Sequence, residues 1–398
     1  MIKTGIDVVE ISRFREMQNL DDFLKRVFTE KEQEYFSSKK NCYESIAGFY
    51  ATKEAFSKYM GTGVRGFNLI DIEVLHDNLG KPRLHFMGKP INADVSISHS
   101  QTTAVAVVCG EEDEMVNIPA EQKAYYGVLL PKRTPAMHKG DCGRVFLIAG
   151  SVGMTGAATL SAMGALRCGS GLVTVGTPAE AQPILATKLT EAMTLPLPED
   201  GISLAKEQIE KSDAVAIGPG LGKMPGIIEM IKSALKSGKP LVIDADGLNA
   251  LAEHINILEG EHGDVVLTPH PGEMARLLEK SVPEIKECRE EIAKEFATRY
   301  GVTLLLKGKD TVIVSPQGEV HSNPTGNSGM ATGGMGDVLT GVITAFLGQG
   351  LDGYSAAILG AFLHGLAGDF AAKDLGEFGM IAGDVAERLP KAILTLQK

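Results

Sequence analysis

Cysteine is scarce in this sequence, and the few present form no pattern. The 398 residues hold five, at positions 42, 109, 142, 168 and 288, with no Cys-x-x-Cys spacing. That argues against a disulfide framework or a zinc site and fits free thiols in a reducing compartment. Long apolar runs are also lacking. Although 44% of residues are hydrophobic, no apolar run approaches the ~18 residues a membrane helix needs. The opening stretch, residues 1–7, has no signal-peptide layout, so a cytoplasmic protein with no membrane segment is expected. Positive charge is in deficit: the net charge is −11, which argues against nucleic-acid binding. No internal repeat or low-complexity tract interrupts the chain.

The length calls for two or three domains, and the patterning changes accordingly. Residues 1–110 mix short strand patterns (2–9, 70–75, 84–86, 95–98, 103–108) with a helical period over 46–60, and Gly80-Lys-Pro82 marks a turn. The run Glu111–Glu114 closes this region. From Val145 the rhythm is different. Strand-like runs at 145–149, 172–175, 214–217, 240–243, 265–267, 303–306 and 311–314 are separated by helix-length segments, as in an α/β domain with a largely parallel sheet. The expected organisation is a small α+β domain over 1–112, a linker over 113–124 and an α/β domain over 125–398. Residues 1–112 hold 14 Lys+Arg against 16 Asp+Glu, and the remainder 25 against 34. The nearly neutral first part still gathers Arg13, Arg15, Lys25 and Arg26, either a solvated face or a patch for an acidic partner.

The densest chemical signal is Asn327–Gly341. Gly329, Gly333, Gly334 and Gly336 precede Asp337 and an apolar helix pattern. Glycines open backbone N–H groups to a phosphate, and a helix start adds its positive dipole end. A carboxylate there suits a base that deprotonates a hydroxyl attacking the phosphate. Upstream, Lys307-Gly308-Lys309-Asp310-Thr311 lies between two strand patterns, where it suits a nucleotide phosphate or ribose. Thr268-Pro-His270-Pro-Gly-Glu273 stiffens a strand end and is expected to hold His270 outward. Asp244-Ala-Asp246 offers paired carboxylates for a magnesium-phosphate group or a helix cap. In the first region, Gly5-Ile-Asp7 ends or interrupts a strand. Glu54 and Lys58 share a helix face, and Asp7 with Glu54 would offer magnesium two hard oxygens.

Taken in order, His138-Lys-Gly, Gly143-Arg-Val, Gly150-Ser, Met154-Thr-Gly-Ala-Ala158, Gly171-Leu-Val-Thr-Val, Gly218-Pro-Gly-Leu-Gly, Asp244–Asn249, Thr268–Glu273, Lys307-Gly, Asn327–Gly341 and His364-Gly resemble the ribokinase-like family. Within it they resemble the ADP- or ATP-dependent NAD(P)H-hydrate dehydratases, over about residues 125–396. The resemblance implies cofactor repair. The hydroxyl of the hydrated nicotinamide ring is phosphorylated at the expense of ADP (ATP in eukaryotic members), and phosphate is then eliminated. It implies that Ala157, Gly220 and His270 contact the hydrated cofactor, that Lys307, Gly308, Lys309, Asp310, Thr311 and Gly336 contact the adenine nucleotide, and that Asp337 is the base. The epimerase domain often fused to this family has no room between the two parts described, so a separate epimerase would act on the other epimer. The competing reading is a small-molecule kinase on the same fold.

Residues 1–110 resemble the holo-acyl-carrier-protein synthase family through Gly5-Ile-Asp7, Arg13, Phe28-Thr-Glu30, Ala51–Lys58, Gly80-Lys-Pro82 and Ser96-Ile-Ser-His99-Ser. The implied reaction moves 4′-phosphopantetheine from coenzyme A to a carrier-protein serine. Asp7 and Glu54 would hold Mg2+, Lys58 would carry catalytic charge, and Arg13, Lys58 and His99 would meet coenzyme A. The basic patch would meet an acidic acyl carrier protein. Members form trimers, so a homo-oligomer is expected. One departure is visible: Phe49-Tyr50 stands where members commonly carry an arginine. The competing reading of this region is a non-catalytic oligomerisation or docking module.

Overall fold

The computed structural model describes residues 2–61, 63, 67–111 and 118–397. The chain divides into two compact units, residues 1–114 and 115–398. Of the expected linker, residues 113–117 lie outside the described residues, and a helix already begins at Ala120 (Ala120–Leu129).

In the first unit, strand Ile2–Glu10 pairs antiparallel with Thr103–Glu111, which pairs with Asp94–His99. A second sheet holds Ile72–His76, Pro82–Phe86 and the two-residue Lys89–Pro90. Gly5-Ile-Asp7 does not end the first strand, since the ladder runs unbroken past it. The glycine has another use. A side chain at Gly5 would run into the backbone at Ala55 and Tyr59, so glycine lets helix Cys42–Tyr59 cross the strand at van der Waals distance. The core is aromatic, with Phe14, Phe28, Phe36, Phe49 and Phe56 all buried. Phe49 stacks on Tyr35 with ring centroids 5.3 Å apart, so the departure at position 49 fills core space. Into this core the chain buries Lys53. Its ammonium bonds Glu32 at 2.8 Å and the carbonyls of Val27, Leu69 and Ile72. A buried charge survives only when paired and fully hydrogen-bonded, and this one is.

The second unit is built on a nine-stranded sheet. In spatial order its strands are Val320–Ser322, Val312–Val314, Thr303–Leu306, Val265–Leu267, Leu241–Ile243, Ala214–Ile217, Arg144–Ile148, Leu172–Pro178 and Met193–Leu197. The last seven run parallel; the first two close the edge as antiparallel strands. The inner strands are continuous apolar runs buried along their length, as expected where helices cover both faces. Sequence patterning missed the two outermost strands, 193–197 and 320–322, which are partly exposed. Order reverses between Arg144–Ile148 and Ala214–Ile217, because the chain leaves the former outward and returns on its other side. In open α/β sheets ligands gather beyond the strand ends at such a point.

Helix Met335–Gly348 packs against Thr155–Arg167 near the reversal. Side chains at Gly164 or Gly341 would collide with the partner helix's backbone, so these glycines set the close approach. Helix Gly353–Leu375 lies beside them. Contrary to the expectation from apolar runs, it is long and apolar enough by length and composition to span a bilayer, but 83% of its most apolar window is buried inside the unit.

Candidate functional site

Five loops at the carboxyl ends of the parallel strands gather near the first turn of Met335–Gly348. Loops 150–154 and 218–222 are tied together: Gly150 N–H donates to the Pro219 carbonyl at 2.8 Å, and the Ser151 hydroxyl to that of Gly220 at 2.8 Å. Gly220 lies against the helix that begins at Thr155, and a Cβ there would sit 2.7 Å from that of Ala157. The structure thus brings Ala157 and Gly220, far apart in sequence, to one spot at the sheet's reversal.

The next loop carries two carboxylates. Ala245 between them has φ 49°, a left-handed value uncommon for a residue with a Cβ. That twist accompanies a parting of the two neighbours. Asp244 is buried, accepting from the Lys307 ammonium at 2.7 Å and the Thr340 hydroxyl at 2.7 Å. Asp246 accepts from the Gly222 N–H at 2.7 Å. The two neighbours are thus differently engaged: one holds a lysine, the other a glycine loop.

His270 faces outward beyond the strand end, as expected, and has a second task. It is the N-cap of helix Pro271–Leu278, and its Nδ1 accepts from the N–H groups of Gly272 and Glu273 at 2.9 and 3.2 Å. With Nδ1 consumed by the cap, Nε2 is the nitrogen left to meet a ligand, and the ring is half-exposed. Glu273 closes the capping box, accepting from the His270 N–H at 2.8 Å, and stands 3.4 Å from His270 Nε2 and 3.9 Å from Lys307 Nζ. The Lys307 N–H donates to the Pro269 carbonyl at 2.9 Å, so the two loops are bonded edge to edge.

Lys307 is the hub. Burial opposes its charge, yet the carboxylates of Asp244, Glu273 and Asp337 hold its pKa above the ordinary lysine value. Its ammonium lies beside Gly336, where a Cβ would stand 3.2 Å away. Asp337 sits in the helix's first turn, three residues past the N-cap Gly334, so it is not itself the cap. Burial raises its pKa from 3.8 to about 6; Asp244 and Asp246 add to the rise and Lys307 opposes it. A carboxylate poised near neutrality beside amide donors is what a general base requires.

A cavity of about 670 Å³ opens beside this cluster. Residues 307–311 line one wall, Asn323–Ser328 another, and Met335, Gly336 and His364 the floor. The second wall is pinned by Asp369, which accepts from the Gly326 N–H at 3.1 Å and the Asn327 side-chain amide at 2.9 Å. His364 is buried, which lowers its pKa to about 4 and keeps it neutral. Sequence reading gave no role to Thr340 or Glu273, though both fall inside its motifs, and did not reach Asp369. Only Glu273 carried a signal, as the N3 position after a Pro-His-Pro turn.

In the first unit, Asp7 and Lys58 meet at 2.8 Å, and Lys58 also bonds the Ile6 carbonyl at 2.9 Å. Lys58 therefore pairs with Asp7, not with Glu54 four residues before it. Glu54 accepts instead from the Tyr50 hydroxyl at 3.2 Å, and the Arg13 guanidinium lies 5.1 Å from the Tyr50 ring centre. His99, exposed, stands 4.0 Å from Glu44. Arg13, Arg15, Lys25 and Arg26 are all exposed on the two helices after the first strand. Among the described residues no three His, Cys, Asp or Glu side chains cluster as a metal centre. Asp7 and Glu54 each carry the hard carboxylate oxygens that magnesium takes beside water and diphosphate oxygens.

Residues 145–391 match the family model described as NAD(P)H-hydrate dehydratase, and residues 3–109 match that of the 4′-phosphopantetheinyl transferase superfamily. The chain is 49% identical over 278 residues to a bifunctional NAD(P)H-hydrate repair enzyme, Nnr, of Moorella thermoacetica, covering 68% of this chain and 52% of that protein. It is 35% identical to the ADP-dependent (S)-NAD(P)H-hydrate dehydratase of Bacillus subtilis, covering 69% of this chain and 98% of that one. The crystal structure of an ADP/ATP-dependent NAD(P)H-hydrate dehydratase from Bacillus subtilis, co-crystallised with ATP/Mg2+, superposes with a TM-score of 0.63 at 33% identity, covering 71% of this chain and all of that one. The chain thus spans about half the length of the bifunctional relatives it matches. The larger unit has the ribokinase-like dehydratase fold, and the smaller is of the acyl-carrier-protein-synthase type.

Proposed function

The chain belongs to the NAD(P)H-hydrate dehydratase family, and from that premise we propose that its larger unit returns hydrated NADH or NADPH to the reduced cofactor at the expense of ADP. The observation that carries this reading is Asp337: a carboxylate with a pKa near 6 in a helix's first turn, beside a lysine and a nucleotide-sized cavity.

The chemistry follows from the leaving group. Hydroxide leaves a ring carbon poorly and phosphate leaves well. Asp337 takes the proton of the hydrate hydroxyl as its oxygen attacks the terminal phosphorus of ADP, and AMP departs. The amides around Gly334 and Gly336, at the positive end of the helix dipole, and the Lys307 ammonium face the charge on the transferring group. The ring nitrogen's lone pair then expels phosphate, and the neighbouring carbon gives up a proton to restore the double bond. Ala157, Gly220 and His270 hold the hydrated cofactor at the sheet reversal, and residues 307–311 with Gly336 hold the adenine nucleotide.

The smaller unit, on this reading, transfers 4′-phosphopantetheine from coenzyme A to an acyl carrier protein. Asp7 and Glu54 would hold Mg2+, which when bound offsets diphosphate charge. Lys58 and Arg13 would meet the phosphate charge, and His99 the coenzyme. The exposed basic residues Arg15, Lys25 and Arg26 receive the acidic carrier.

Incubating the full chain with hydrated NADH and ADP tests the first activity, read as recovery of reduced-nicotinamide absorbance. D337N is expected to lose about 10²–10⁴-fold in turnover while binding ADP normally. Phosphorylation of an alcohol without absorbance recovery would favour the kinase reading. Coenzyme A, Mg2+ and an apo carrier protein test the second activity; an unchanged carrier mass across several carriers would leave a docking module.

A further inference from the structure

The loop 307–311 has an arrangement that its own residues do not explain. Two of its carbonyls, and that of Leu306 at the end of the preceding strand, are tied down by side chains. The Arg289 guanidinium donates through Nη2 to the Leu306 carbonyl at 3.1 Å and through Nη1 to the Lys309 carbonyl at 2.6 Å, while the Thr311 hydroxyl donates to the Gly308 carbonyl at 3.0 Å. Its amides are not tied. The N–H groups of Gly308, Lys309, Asp310 and Thr311 have no acceptor among the described residues, although the loop is flanked by ordered strands. Gly308 at φ 152° and Asp310 at φ 54° put two positive-φ residues into this short turn. A Cβ at Gly308 would stand 3.0 Å from Arg289, so the loop is wrapped tightly over the guanidinium. Successive free amides in such a turn form a concavity for anions.

We propose that Arg289 is a positioning residue for nucleotide binding: by holding the Leu306 and Lys309 carbonyls on the outer side of the loop, its guanidinium presents the amides of 308–311 to the phosphates of the bound adenine nucleotide. This rests on the reading of the cavity as an adenine-nucleotide site. Arg289 begins helix Arg289–Tyr300 and does not line the cavity, so it acts through the loop and not on the ligand. The planar fork matters, because a lysine's ammonium is a single point and cannot hold two carbonyls in fixed relation.

The test is calorimetric titration of ADP and of adenosine onto the full chain, as wild type, R289A and R289K. R289A is expected to weaken ADP binding by about ten-fold or more, and R289K by an intermediate factor. Adenosine, lacking phosphate, should bind all three within about two-fold. At saturating ADP kcat should stay near wild type while KM for ADP rises, a split that a general loss of stability would not produce. ADP affinity within two-fold of wild type in a folded R289A would overturn the proposal. So would an equal loss for adenosine. A wild-type chain that binds no adenine nucleotide would overturn the reading of the cavity and the proposal with it, an outcome distinct from a failed clamp.

Discussion

Each unit pairs a lysine with a buried carboxylate, and the two pairs differ in one respect. Lys53 and Glu32 are sealed, both side chains wholly buried, and the ammonium is saturated by a carboxylate and three carbonyls. Lys307 and Asp244 are as close, but the lysine keeps a fifth of its side chain exposed and lines the cavity. Burial with a partner therefore does not mark a functional lysine. What marks it is access: Lys307 is partly exposed and lines an open cavity, whereas Lys53 meets nothing but the core.

The largest effect that would break this comparison is on stability. K53M should cost about 3–5 kcal/mol, because Glu32 would stay buried without its cation. Denaturant unfolding of the smaller unit reads this, and adding E32Q should recover part of the loss. If K53M unfolds like wild type, the pair is not structural. Next, K307M should lower dehydratase turnover by about 10²–10³-fold, as for loss of one preorganised charge donor, with a smaller change in unfolding. Near-normal kinetics would make Lys307 a second Lys53.

The finest test is pH. Asp337 has a pKa of about 6 folded against 3.8 ordinarily, so the folded chain holds a proton that the unfolded chain releases. Its contribution is full below 3.8 and is lost as pH rises through 6. His364 runs the other way, because burial lowers its pKa from 6.5 to about 4 and its contribution is lost as pH falls through 4. Between pH 4 and 6 the two slopes oppose each other. D337N removes the first, so its stability should rise with pH more steeply than that of wild type. Over the same window wild-type kcat/KM should climb as Asp337 ionises. Parallel stability curves for wild type and D337N would refute the assignment.

Much of this was legible beforehand. The parallel strands announced themselves as apolar runs, because strands covered on both faces need no polar alternation. Asp337 was legible because glycines crowd before it and an apolar helix follows. The edge strands at 193–197 and 320–322 were not, because partial exposure blurs their pattern. His270 faces outward as its loop implied, but its capping of the helix opened by Pro271 was not legible. Glu54 and Lys58 looked like a helix pair, but an adjoining strand supplied Asp7 as the nearer partner.

The sequence by itself determined the element types, the two-unit division of chemistry and which residues could act as base, ligand or cradle, since these depend on local patterning and side-chain kind. Only the tertiary structure decided which charges meet. Asp244, Lys307, Glu273, Thr340 and Asp337 are spread over nearly a hundred positions and converge because three neighbouring parallel strands end beside one helix start. Electrostatic interaction depends on distance and on the water excluded between groups, and neither is written along a chain until it folds.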